Sequence, residues 1–207
     1  MAEHSVRVAI KRVYEKPEPS DGTRVLVDRL WARGVSKDAA DLGAWMKELG
    51  PSDELRTWFG HQPNRWDAFV ATYRQELATP LRQLLLAELQ GVARGAAVTL
   101  VYGAHDTKEN EAAVLRDYLL QDQAHPVETW DAPTKLLLTA AVVAAAHPEA
   151  VAPTAGVKRF ASPILSAHEF DSALAELVAD GSLRESAGGW QLAPRARQRV
   201  QQLARTD

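Results

Sequence analysis

Cysteine is absent from this chain of 207 residues, which excludes disulfides, thiolate metal sites and a cysteine nucleophile. No apolar run approaches the ~18–20 residues that a membrane-spanning helix needs, and the N-terminus lacks the apolar core of a signal peptide. A cytoplasmic protein with no membrane contact is expected. There is no basic excess either: 24 Lys and Arg stand against 27 Asp and Glu, for a net charge of −3. Nothing global therefore advertises nucleic acid. The glycines form no dinucleotide fingerprint, no phosphate-cradling loop and no nucleophile elbow. The six histidines show no paired metal-ligand spacing, so no metal site is expected and no cofactor is implied. No internal repeat or low-complexity tract is present. What remains, 46% hydrophobic and 25% charged, is an ordinary globular composition.

The stretch that organises the rest is RVLVDRLWARGVSK, residues 24–37. Val25, Leu26 and Val27 read as a strand, opened by the turn signal Asp21-Gly22. The run then meets Asp28, Arg29, Trp31 and Arg33. A carboxylate, two guanidiniums and an indole at a buried strand end are costly to desolvate unless they pair or face a ligand. Two readings follow: a structural Asp–Arg network with Asp28 held by Arg12 or Arg33, or a site in the crevice beyond the strand ends.

Around it, Val6, Val8 and Ile10 alternate as a first strand. Ser36 is read as the cap of a helix carrying Leu42, Trp45, Met46 and Leu49 to Gly50-Pro51. Ser52 caps a short helix with Leu55, Trp58 and Phe59 inward, and Asn64 is read as capping the next, whose stripe is Trp66, Phe69, Val70, Tyr73 and Leu77. Thr79-Pro80 opens a fourth helix that ends at Gly95. Ala97 to Tyr102 is apolar almost throughout, as a central parallel strand should be, and a helix follows from about Thr107 to Leu120. The expected fold class is α/β: a small, mainly parallel sheet with helices packed around it.

Four blocks in this order, KRVYE (11–15), DGTRVLVDRLWARGVSK (21–37), WMKELGPSDELRTWFGH (45–61) and VTLVYGAHDTKENEAAVL (98–115), resemble the YeaO-like family of bacterial proteins, a domain of unknown function numbered four-eight-eight. The resemblance covers about residues 5–120. It implies a compact α/β domain and no particular reaction. The family's usual text has Pro at Ala32 and Ala at Gly50.

The polar stretch around 121–127 marks a boundary, giving an expected YeaO-like domain at 1–122 and a second unit at 127–207. The latter reads as an apolar helix from Pro133 to Ala146, an irregular stretch to Pro163, a helix begun by Ser166, a hairpin in DGSLRESAGGWQLAP and a closing helix from Arg195. That layout resembles a winged-helix-like α+β domain. Its would-be recognition helix carries Glu169, Asp171, Glu176 and Asp180 with no Lys or Arg, so phosphate repulsion opposes DNA. A protein partner, or a second copy of the chain in a homodimer, fits better.

The candidate chemistry converges at the strand ends. Lys11, Arg12, Arg29, Trp31 and Arg33 are the expected ligand-binding set, because guanidinium forks grip carboxylate or phosphate. Asp28, His105 and Asp106 are the expected catalytic set, two carboxylates and an imidazole able to move protons. The function read from this is a protein binding or acting on a small anionic ligand. The alternative is a non-catalytic regulator that works through its C-terminal unit.

Overall fold

Four parallel strands form the main sheet in the order β1-β4-β2-β3: β1 (Val8–Arg12), β2 (Thr23–Leu26), β3 (Ala44–Trp45) and β4 (Val98–Tyr102). A computed structural model describes residues 7–121 and 130–204, so Val6 and the expected boundary at 122–127 lie outside the described residues. Central β4 is buried at every position, and its register sets Ile10 and Val25 on either side of Leu100. This explains the run's lack of alternation: both faces of β4 are covered.

One face, through Val25, Ala44, Leu100 and Tyr102, joins a large core with α3 (Trp66–Leu77), α4 (Pro80–Gly95) and α5 (Glu111–Gln121). The other face, through Leu26 and Val101, is covered by Val13, Ala32, Ala40 and Leu42. These last residues come mostly from the long connection after β2. Helix α2 (Asp53–Phe59) is capped by Ser52, whose Oγ accepts from the Leu55 amide.

The helix expected from Ser36 to Leu49 is a correction. Only Lys37–Ala40 (α1) is helical, and Asp41 turns the chain at φ 48°. Ala44 and Trp45 then pair with Val25 and Leu26 as β3. Leu42 and Trp45 serve one core, while Ala44, Met46 and Leu49 serve the other. A spacing that suits one face of a helix here supplies two layers.

Asn64 is not a cap. Pro63–Arg65 forms a 3₁₀ turn and α3 begins at Trp66. Likewise α5 starts at Glu111 rather than Thr107, because Asn110 Oδ1 accepts from the Ala113 amide and closes the turn before it.

Beyond residue 130 the order is α6 (Ala132–Ala146), β5 (Val151–Pro153), α7 (Thr154–Ala161), α8 (Ala167–Ala179), β6 (Leu183–Ser186), β7 (Gly189–Leu192) and α9 (Pro194–Leu203). The stretch expected to be irregular therefore contains β5 and α7. The three strands form an antiparallel sheet, β5-β7-β6. Gly189 allows β7 to close on β5: a Cβ there would stand 2.1 Å from the Ala152 carbonyl oxygen. Helix α8 starts with a capping box between Ser166 and Glu169.

Helix α6 buries Leu136, Leu137, Leu138, Val142 and Val143 in the same core as the main sheet's helices. Its apolar length is thus used within the chain. Two further contacts tie α4 to this part: Thr139 hydrogen-bonds buried Glu88, and Gly91 lies where a Cβ would meet Pro163 at 2.0 Å.

Candidate functional site at the strand ends

The chain leaves β2 toward β3, and it leaves β4 toward α5, which packs against β1. The two exits diverge between β2 and β4. In open α/β sheets the crevice at such a point is the usual ligand site. Here the Asp28 side chain fills it.

Asp28 Oδ2 accepts from the Gly103 amide at 2.8 Å, and a Cβ at Gly103 would come within 2.7 Å of the same oxygen. Asp28 Oδ1 is shut off from water and receives no hydrogen bond from a donor among the described residues. The carboxyl of Glu111, the first residue of α5, lies against it. Burial first, then the hydrogen bond and charge of Glu111, push the Asp28 carboxyl up to about 10, against a smaller opposing effect of the Gly103 amide. Two carboxyls in contact have no donor between them unless one carries a proton, so the pair shares a proton at neutral pH. Tyr73 is also buried, its hydroxyl donating to the Leu49 carbonyl; burial and then the nearby Glu111 keep the phenol protonated.

The other expected residues separate. Lys11 and Arg12 point to opposite faces of β1, as neighbours on a strand must. Lys11 Nζ is held by Asp21 at 3.0 Å and Glu18 at 3.1 Å, and Asp21 also binds buried Arg24 at 2.6 Å. Lys11 thus belongs to a structural network away from Asp28. Arg12 stays at the rim, where Nε donates to the Ala104 carbonyl at 2.9 Å and the guanidinium lies over Tyr14. Neither Arg12 nor Arg33 pairs with Asp28, so the expected Asp–Arg network is replaced by the Asp28–Glu111 pair.

Arg29 Nε donates to the Pro51 carbonyl at 2.7 Å and Nη2 to Gly50 at 3.3 Å. Trp31 donates to the Val35 carbonyl and meets Trp45 edge to face at 5.2 Å. Trp45 in turn donates to the Asp28 carbonyl. Asp106 accepts from the Lys108 and Glu109 amides, which hold its carboxyl below the usual range. Arg33 and His105 are exposed. Among the described residues no group of three His, Cys, Asp or Glu is placed to hold a metal ion.

A cleft of about 870 Å³ lies beside this cluster, past the ends of β2 and β3. Arg29, Lys47 and Arg197 stand on its rim with Glu48, Asp53 and Glu76, and its floor is apolar. Arg29 enters it with Nη1 unused by the two carbonyls, and Arg197 with both terminal nitrogens unused, since only its Nε donates, to Leu192. Sequence reasoning missed Lys47, Arg197 and Glu111. An acid at the start of a helix reads as a dipole partner, and nothing local reveals that Glu111 faces Asp28.

The family model described as the inactive DUF488-N3 subclade matches residues 7–134. The chain belongs to this family. It is 43% identical over 113 residues to uncharacterised proteins of Mycobacterium tuberculosis and Mycobacterium bovis, covering 55% of this chain and 93% of theirs. It is 40% identical over 114 residues to the uncharacterised protein YeaO of Escherichia coli, covering 55% of this chain and 97% of that one. The YeaO-like resemblance of the four sequence blocks is thereby established. No solved structure matches the chain.

Proposed function

We propose that this protein is a cytoplasmic binding protein, not a catalyst, and that it takes a small phosphate- or carboxylate-bearing ligand in the cleft past β2 and β3. One observation carries the reading. The groups expected to do chemistry at the strand ends mostly have protein partners, whereas cations beside them retain free N–H groups facing a cleft of ligand size. The family's description as an inactive subclade supports the same view. Arg29 and Arg197 act as the anion clamp, and the Asp28–Glu111 pair holds the β2 and β4 exits together.

The C-terminal segment, read as a winged-helix-like unit, forms the far wall of the cleft. Its helix α8 exposes Glu169, Asp171, Glu176 and Asp180, which favours a protein partner over DNA as the recipient of any signal.

The test is thermal melting with pyrophosphate, citrate and nucleoside monophosphates as probes. A ligand that binds only the folded state raises the melting temperature by mass action. At least one probe should do so, and the double variant Lys47→Glu/Arg197→Glu, changed at two exposed positions, should lose the rise. No shift with any probe, or a shift unchanged in the double variant, refutes the proposal.

A further inference from the structure

We infer that the cleft's ligand is amphipathic, an anionic head on an apolar tail, and that the tail site is built by the C-terminal extension of this chain. The inference rests on the anion-binding reading above and adds the ligand's other half. Below the charged rim, the cleft is lined by Leu81 and Leu85 of α4 on one side. Leu138 and Val142 of α6, with Val200 and Ala204 in and just after α9, line the other. A compact hydrophilic anion would leave these side chains facing water, whereas an alkyl or aryl tail removes them from it. The polar groups gather at one end of the requirement only: Arg29 and Lys47 follow strand ends, and Arg197 lies one helical turn before Val200 on α9.

The second wall is also where this chain differs from its relatives. The family match ends at residue 134, near the start of α6, and the curated relatives are matched over 93% and 97% of their own lengths by only 55% of this chain. Most of α6 and all of α9 lie past the family match. The strand-end cations Arg29 and Lys47 fall inside it. The family part therefore supplies half of the head-group site and one apolar wall, and the extension supplies the opposite wall and Arg197.

The experiment is calorimetric titration of the full chain with hexanoate, decanoate and tetradecanoate below their micelle concentrations. Each buried methylene is worth about fourfold in affinity, so binding should tighten steeply along the series at one ligand per chain. Arg197→Glu should weaken every member by a similar factor. Ala141→Trp, on the cleft side of α6, should abolish the chain-length dependence while circular dichroism and the melting curve report a folded protein. If citrate or pyrophosphate binds but chain length has no effect, the tail site is refuted and the anion reading stands. If affinity climbs with chain length but Ala141→Trp does not block it, the tail lies elsewhere and the inference fails. If neither short nor long anions bind, both readings fall. A concentration-dependent dimer abolished by Ala141→Trp would assign the cleft to a second copy and overturn the inference.

Discussion

Glu88 offers the sharpest physical test of how the two parts of the chain are joined. It is fully buried in α4, and its Oε2 has no partner among the described residues. Its other oxygen meets Thr139 of α6, whose hydroxyl also lies 3.0 Å from the Lys135 carbonyl. A hydroxyl has one hydrogen, and a protonated Glu88 resolves the geometry: the acid donates to Thr139, which donates to Lys135. Burial pushes the Glu88 carboxyl from its ordinary 4.5 up to about 8, against the smaller effect of Thr139. Because the native state keeps this proton and the unfolded state loses it, stability falls as pH rises between those values. At about 1.4 kcal/mol per pKa step, the interval from 4.5 to about 8 amounts to roughly 5 kcal/mol in full, of which about 3 is already lost near neutral pH. Glu88→Gln keeps a donor for Thr139 but cannot ionise, and its spare N–H costs about 1–3 kcal/mol. Denaturant unfolding from about pH 5 to about pH 9 should show the variant weaker than the parent at the acid end and stronger at the alkaline end. Parallel stability curves for the two proteins would refute the protonated Glu88.

Two further outcomes follow from the same structure. Asp28→Asn should melt at or above the parent's temperature near neutral pH, and gain more in alkali, because Asn can accept from Gly103 and donate to Glu111 without a shared proton. Lowered melting at neutral pH would mean that Asp28 is ionised and held by a cation. Fluorescence anisotropy with random duplexes at roughly physiological salt should show no sequence-specific binding, since α8 is acidic on its exposed face and phosphate contacts weaken steeply with salt; submicromolar selection of one sequence would contradict this.

The sheet's two inner strands were legible because their signal is local. Val25–Val27 and Ala97–Tyr102 are short apolar runs bounded by turn residues, and β4 must read as unbroken if both faces are covered. β3 was not legible. It is two residues long, and the apolar positions that flank it serve two cores at a spacing that happens to match a helix. The pairing at the site was hidden for a different reason: Asp28 and Glu111 are 83 positions apart by their numbers, and only the placement of β4 beside β2 joins them. Lys11 was separable in principle, since period-two alternation sends it away from Arg12. The cleft walls, contributed by residues as distant as Arg29 and Ala204, leave no trace in any one segment.

The arginines at the strand ends carry a wider point. Long connections over a sheet expose carbonyl oxygens that no helix or strand satisfies, and a buried carbonyl without a partner is costly. In this chain guanidiniums meet that need. Arg12 binds the Ala104 carbonyl, Arg24 the Ala40 carbonyl, Arg29 those of Gly50 and Pro51, and Arg82 those of Glu48, Gly50 and Glu76. A guanidinium's five fixed donors suit this stapling as well as they suit a phosphate. A cluster of arginines just past a strand therefore signals either an anion site or a long crossing loop. The deciding quantity is how many N–H groups remain after the carbonyls are counted, and by that measure Arg29 and Arg197 retain what a ligand would need.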